Sequence, residues 1–286
     1  MRAIFLLCLV FASGIPAYAA GEPACSQGEG SVTRKLEGFE LQIAPYPDAN
    51  NPDLDECEAE IYDARGDVIF SEHDWSFAIE LAGVDVNGDG IPDIVLEAYS
   101  GGAHCCWTYY IISLGSKPGL IKKIENERDA AFYKDDESGR IEITTLDGAF
   151  DSFDGLCHAC TPFPVVYLRL DGAQLMDISP EGKVVYDQII AENQKALRAR
   201  DLQRLRALRS DHSGPKVSAK TVARALNIVL AYLYSGREIQ AREALRRMWP
   251  PFDQERVWKL ILETRHNGIL CYTRKDSACG ADATAG

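Results

Sequence analysis

Past residue 12 the sequence has no apolar run approaching the roughly 20 residues a membrane-spanning helix needs. It also lacks a G-x-S-x-G elbow, an H-E-x-x-H helix, a phosphate-cradling P-loop and a G-x-G-x-x-G fingerprint, which removes the commonest sequence routes to hydrolase, NTPase and dehydrogenase chemistry. Cations are scarce, with 30 Lys and Arg against 43 Asp and Glu, a net charge of −13. The shortage is concentrated in residues 1–180, which hold 11 cations and 31 acids. Phosphate backbones need clustered cations, so nucleic acid is not expected as a partner. Acidic pairs such as Asp135/Asp136 and Asp151/Asp154 abound as in any acidic stretch and single out no glycosidase pair. No residue stands out as a catalytic group.

The N-terminus reads as a secretory signal. Arg2 supplies a short positive start, residues 4–12 form an apolar run too short to span a bilayer, and Gly14 and Pro16 break it. Ala17 and Ala19 put small residues where a signal peptidase reads, so cleavage is expected after Ala19. Cys8 lies inside the apolar run, badly placed for a lipid anchor. The mature product is expected in the periplasm or outside the cell, with no membrane span left after cleavage.

The remaining residues divide by charge. Residues 181–286 hold 19 cations and 12 acids, a net of +7 against −20 before them. Such asymmetry suggests two modules with different partners, or a mutual electrostatic interface. The basic half could bind polyanions, but its charges fall at helical spacing, and a solvated helix face is the favoured reading. Eight cysteines follow the signal: Cys25, Cys57, Cys105, Cys106, Cys157, Cys160, Cys271 and Cys279. In an oxidising compartment an even count reads as disulfides, with on the order of a hundred full pairings open. Proximity favours Cys271 with Cys279 and Cys25 with Cys57, leaving Cys105 and Cys106 to meet Cys157 and Cys160.

Residues 20–32 look irregular. From residue 39 to about 169, alternating or β-branched runs mark strands at 39–43, 57–62, 68–70, 77–81, 94–98, 107–114, 141–145 and 164–170. The turn at 63–67 contains Arg65-Gly66-Asp67, an integrin-binding tripeptide by spelling but placed where a hairpin turn belongs. After Gly182 the period becomes helical. One helix is expected over 184–209 and a second from an N-cap at Ser218 to about Tyr234. A third is expected over 238–248, stopped by Pro250 and Pro251, and a fourth over 254–266 after Asp253. The expected fold is α+β: a signal peptide at 1–19; a disulfide-pinned antiparallel β module at 20–180, either a small sandwich or partly propeller-like; and an α-helical hairpin or bundle at 181–286.

The sharpest motif is Asp85-Val-Asn87-Gly-Asp89-Gly90-Ile91-Pro-Asp93. Side-chain oxygens recur at positions 1, 3, 5 and 9, with glycine at position 6, the pattern by which a tight loop aims hard oxygen ligands at calcium. The Ile91 carbonyl would serve at position 7. An EF-hand would close with a glutamate at position 12, where this chain has Leu96, and its flanks would be helices rather than strands. A metal-free turn, with the Asp and Asn side chains capping the backbone themselves, is the competing reading. The loop with its following strand resembles the calcium loops of FG-GAP and VCBS repeats over residues 77–115. The resemblance implies a structural Ca2+ held by Asp85, Asn87, Asp89, Ile91 and Asp93. A degenerate echo about 49 residues on, at Gly139-Arg140-Ile141, places Lys134, Asp136 and Ser138 at ligand positions and is not expected to bind. Only two or three such units fit between residues 33 and 180, too few for an ordinary closed propeller.

A second constellation joins His104, Cys105 and Cys106 with Cys157, His158 and Cys160. Four thiols and two imidazoles could hold zinc or copper, with His104 and His158 as metal ligands, and Cys157-x-x-Cys160 could be a redox pair. Two structural disulfides are the favoured alternative in an exported protein. Trp75, Trp107 and Tyr109 could stack on a polysaccharide, or sit in the core. Residues 225–249 resemble one tetratricopeptide-type hairpin, with Tyr232, Gly236, Ala241 and Leu245 at similar spacings, which implies a protein-contact scaffold. The function expected is that of an exported, calcium-stabilised binding protein with a protein or cell-surface polysaccharide partner. A metal-binding or thiol-redox protein and a polysaccharide-binding module are the alternatives.

Overall fold

The computed structural model describes residues 21–36, 38–47, 55–102, 106–210, 215–274 and 279. Thirteen strands come first among them: β1 (Glu22–Ser26), β2 (Val32–Leu36), β3 (Phe39–Pro47), β4 (Asp55–Asp63), β5 (Val68–Asp74), β6 (Ser76–Val84), β7 (Asp93–Tyr99), β8 (Trp107–Ser113), β9 (Gly119–Asn126), β10 (Ala130–Lys134), β11 (Ile141–Leu146), β12 (Val165–Asp171) and β13 (Gln174–Asp177). Five helices follow: α1 (Lys183–Ala196), α2 (Ala199–Arg206), α3 (Ala219–Tyr234), α4 (Glu238–Met248) and α5 (Gln254–Asn267). The fold is α+β, and its sheets are wholly antiparallel.

Chain order dictates the sheets. β2–β5, β6–β9 and β10–β13 are each a four-stranded meander, and β1 joins the middle one beside β6. The middle sheet is apolar on both faces, which is why Ile94-Val95-Leu96 reads as an unbroken apolar run. Ile94, Leu96 and Ala98 pack with Leu41, Ile43 and Ile61 of the first sheet. Val95, Tyr109 and Ile111 pack with Phe132, Ile143 and Leu168 of the third. The three sheets thus stack through two hydrophobic layers. The second layer continues without a break into the helices, through Tyr186, Leu226, Tyr234 and Trp258.

Several local expectations change. Residues 22–26 are a strand, because pairing with β6 supplies hydrogen bonds that the local sequence does not advertise. The helix expected over 184–209 is two, since Leu197 and Arg198 adopt extended backbone between α1 and α2. Hydrophobic spacing survives such a break, so periodicity alone joins the two helices. The turn at 63–67 is a hairpin turn whose Asp63 carboxylate accepts from the backbone N–H groups of Arg65 (2.8 Å) and Asp67 (3.0 Å). Ser218 caps α3 by accepting from Thr221 N–H at 3.2 Å, and α3 and α4 form a hairpin turned at Gly236, φ +77°.

Cys25–Cys57 links β1 to β4, and so the middle sheet to the first, and Cys271–Cys279 closes the C-terminal loop. The expected bridge from Cys105 and Cys106 to Cys157 and Cys160 does not form: Cys157 pairs with Cys160. The 3-10 turn His158–Cys160 brings their Cα atoms to 5.0 Å, within disulfide range, so the local partner wins. Cys106 is also disulfide-bonded. His104 and Cys105 lie outside the described residues, as does the expected signal segment. By the loop-closure argument Cys25–Cys57 is worth about 4 kcal/mol and the four-residue Cys157–Cys160 loop about 2 kcal/mol. Among the described residues no helix is long and apolar enough to cross a membrane.

Candidate functional site

The loop 85–92 joins β6 to β7 and is anchored from within. Val86 is buried in the layer between the middle and third sheets, and Ile91 packs over Gly115. Between these anchors the chain turns through Gly88 (φ +79°) and Gly90 (φ +83°), a backbone region that L side chains seldom adopt. Asp85 accepts from Gly88 N–H (2.6 Å), Asp89 N–H (3.2 Å) and Gly90 N–H (2.9 Å). Asn87 Oδ1 accepts from Asp89 N–H at 3.1 Å, and Asp89 Oδ1 from Ile91 N–H at 2.8 Å.

Asp93 differs from these. It is fully buried, Oδ2 accepts from Val86 N–H at 2.8 Å, and Oδ1 makes no hydrogen bond of normal geometry, the Asn87 N–H acting on the carboxylate only loosely. Burial raises its pKa to about 6, and the Asp89 and Asp85 carboxylates push in the same direction while the backbone N–H groups of Val86 and Asn87 oppose them. A buried carboxylate oxygen without a well-formed hydrogen bond is costly, and a cation would remove the cost.

The third sheet holds the loop from outside. Arg140, in the β10–β11 turn, donates to the carbonyls of Asn87 and Leu170, both at 2.8 Å, and Gly172 N–H donates to Asn87 O at 3.0 Å. The guanidinium lies flat over Gly88, where a Cβ would stand 2.2 Å from Cζ. The echo turn carrying Arg140 is closed by Asp135, which accepts from Ser138 N–H at 2.6 Å, rather than by Asp136. The donor types at 85–93 fit a hard cation: oxygen only, three carboxylates and one amide. As they stand, Asp85 and Asp89 are turned to backbone N–H groups, and no group of three or more His, Cys, Asp or Glu among the described residues is set to hold a metal.

The second constellation is reordered. With Cys157 and Cys160 bonded to each other, His158 lies inside their ring, its Nδ1 2.8 Å from an Asp151 oxygen and its Nε2 3.3 Å from the Arg128 guanidinium. Arg128 stacks over Phe163 at 3.8 Å. The pairing of Trp107 with Asn126 sets Cys106 beside the segment that carries Arg128. Tyr109 is core: its hydroxyl donates to Glu97 (2.8 Å) and accepts from Ala130 N–H (2.6 Å). Trp75 and Trp107 are half-buried on either side of Tyr99, with ring centroids 5.7 and 4.8 Å away. Sequence reasoning gave no role to Arg140, Asp151, Arg128 or Tyr99: Arg140 acts across stacked sheets, Asp151 and Arg128 meet at His158 through loop folding, and Tyr99 meets Trp107 through strand register. Comparison of the chain with family models, with curated proteins and with solved structures gives no match.

Proposed function

We propose that this chain is an exported binding protein whose loop 85–93 takes up one calcium ion as a structural element. The observation that carries the reading is Asp93 Oδ1, a buried oxygen without a well-formed hydrogen bond at the closing position of an oxygen-only loop. Asp85, Asn87 and Asp89 would supply the other side-chain oxygens and Ile91 its carbonyl. The ion supplies charge neutralisation and no chemistry. Rotating Asp85 and Asp89 from backbone to metal would exchange weak turn bonds for ligand bonds, while Arg140 keeps the Asn87 peptide in place. The exposed face of α4, with Ile239, and the outer face of the first sheet, with Glu56, Glu58 and Glu60 alternating with buried Cys57, Ala59 and Ile61, are the surfaces offered to a partner. The test is calorimetric titration of calcium into EDTA-stripped protein beside Asp89→Ala. One ion per chain, lost in the variant, supports the reading; no uptake at millimolar calcium sinks it and leaves a self-capped turn.

Disulfide exchange at Cys157–Cys160 is the second reading, supported by an exposed Cys157 and by the Asp151–His158–Arg128 chain beside it. An incoming thiolate would attack Cys157 Sγ and form a mixed disulfide, and Cys160 would leave as a thiolate and take up a proton. Mild glutathione followed by alkylation and mass measurement decides it: selective, reversible labelling of these two cysteines is expected, and resistance equal to that of Cys25–Cys57 removes the reading.

A further inference from the structure

We infer that the concavity between α2 and the start of α3 binds a compact, multiply charged oxyanion of the phosphate or pyrophosphate type. It encloses about 430 Å3, within the range of small-ligand sites. Six cations line it: Arg198, Arg200, Arg204, Lys216, Lys220 and Arg224. Asp201 is the one acid among the described lining residues, so the described part of the lining carries +5. The whole of residues 181–286 carries only +7. The described lining of this hollow thus holds six of the 19 cations of residues 181–286 and one of their 12 acids, and Arg198, Arg200, Arg204, Lys216 and Lys220 reach it from solvent-exposed positions.

The pairing within the hollow sharpens the point. Asp201 is held by Arg198, Nε to Oδ2 at 2.7 Å, and Arg224 donates to the Ala196 carbonyl at 2.8 Å, closing the end of α1. Arg200, Arg204, Lys216 and Lys220 make no ion pair among the described residues. Four solvent-exposed cations without ion-pair partners around one space raise the local positive potential and so attract an anion, an effect that salt weakens. The molecule does not lack carboxylates, having 43, yet among the described residues Asp201 alone is placed here. Two guanidiniums offer forked donors to phosphate oxygens and two ammoniums act as point charges. The Thr221 and Ser218 hydroxyls line the same wall. A singly charged carboxylate would leave most of this charge uncompensated, which is why a multiply charged group fits.

A free phosphorylated molecule and a phosphorylated lipid headgroup share this chemistry. The test therefore titrates the full chain with inorganic pyrophosphate at several salt concentrations and, separately, measures its sedimentation with phosphatidylcholine vesicles with and without phosphatidic acid. An Arg204→Gln/Lys220→Gln variant runs alongside, and Arg200→Gln serves if the double variant melts early. The expected result is saturable binding of about one pyrophosphate per chain, weakening steeply with salt and about tenfold or more weaker in the variant. Sedimentation with phosphatidic acid, lost in the variant, would equally support the site and identify the lipid as the source. Absence of both kinds of binding overturns the proposal, as does equal affinity in wild type and variant. Self-association at low salt that the variant abolishes and pyrophosphate does not compete also overturns it, since the occupant would then be the acidic face of another copy.

Discussion

Glu80 sits half-buried at a bulge in β6, accepting from Gly21 N–H at 3.0 Å. Burial raises its pKa to about 7, and the nearby Glu97 and Asp129 carboxylates add to the rise while the Gly21 bond opposes it. The folded state therefore prefers the protonated acid. Its favourable contribution is complete below about pH 4.5, where both states are protonated, and is lost as pH rises towards 7 because only the unfolded chain ionises freely. Glu80→Gln keeps an acceptor for Gly21 and removes the ionisation. Its melting temperature should match wild type near pH 5 and exceed it at pH 8. A difference that does not change between those pH values would refute this account. At the same scale the legibility of the site divides cleanly. The turn at Asp85, Asn87, Asp89 and Asp93 is readable because their spacing encodes its geometry, whereas the echo at Gly139-Arg140-Ile141 marks a turn but not the reach of Arg140 to Asn87 O.

Between elements, the contact of Arg140 with loop 85–92 separates two glycines that the sequence treats alike. Gly88 and Gly90 both have positive φ, so alanine at either carries a strain of about 1–2 kcal/mol. At Gly90 a Cβ meets nothing within 4 Å, and strain is the whole effect. At Gly88 it would strike the Arg140 guanidinium and expel its bonds to Asn87 O and Leu170 O, adding roughly 1–3 kcal/mol. Urea denaturation should rank Gly88→Ala clearly below Gly90→Ala, and in an Arg140→Gln background the two should converge. Equal losses in the wild-type background would mean that the sheet-to-sheet contact contributes little. Element types were legible for β3–β8, β11, β12 and the helices, since alternation and helical period follow directly from burial on one face, but β2, β9, β10 and β13 were not expected. Failures came where a contact that composition does not encode, distant or local, decided the outcome. β1 is a strand because β6 is beside it, and Cys157 finds Cys160 because a 3-10 turn folds them together.

At the scale of the whole molecule, composition and packing place different boundaries. Charge and secondary structure change near residue 180, between β13 and α1. The hydrophobic core does not change there: Phe132, Val166 and Leu168 share one cluster with Tyr186, Leu226 and Trp258. Asp147 binds the two parts from inside. It is fully buried after β11, accepts from Tyr234 Oη of α3 at 2.5 Å and from Ile269 N–H at 3.4 Å, and lies so close that a Cβ on Gly268 would stand 2.3 Å from its Oδ1. A chain sharing both core and a buried carboxylate across the boundary should unfold in one calorimetric transition, with van't Hoff and calorimetric enthalpies in agreement. Tyr234→Phe withdraws the donor from Asp147 and should cost about 1–3 kcal/mol. In a cooperative unit that loss lowers the single melting temperature and leaves the transition single. Two separated transitions, with only the helical one moved by the substitution, would show instead that residues 20–180 and 181–286 are independent modules touching through Asp147.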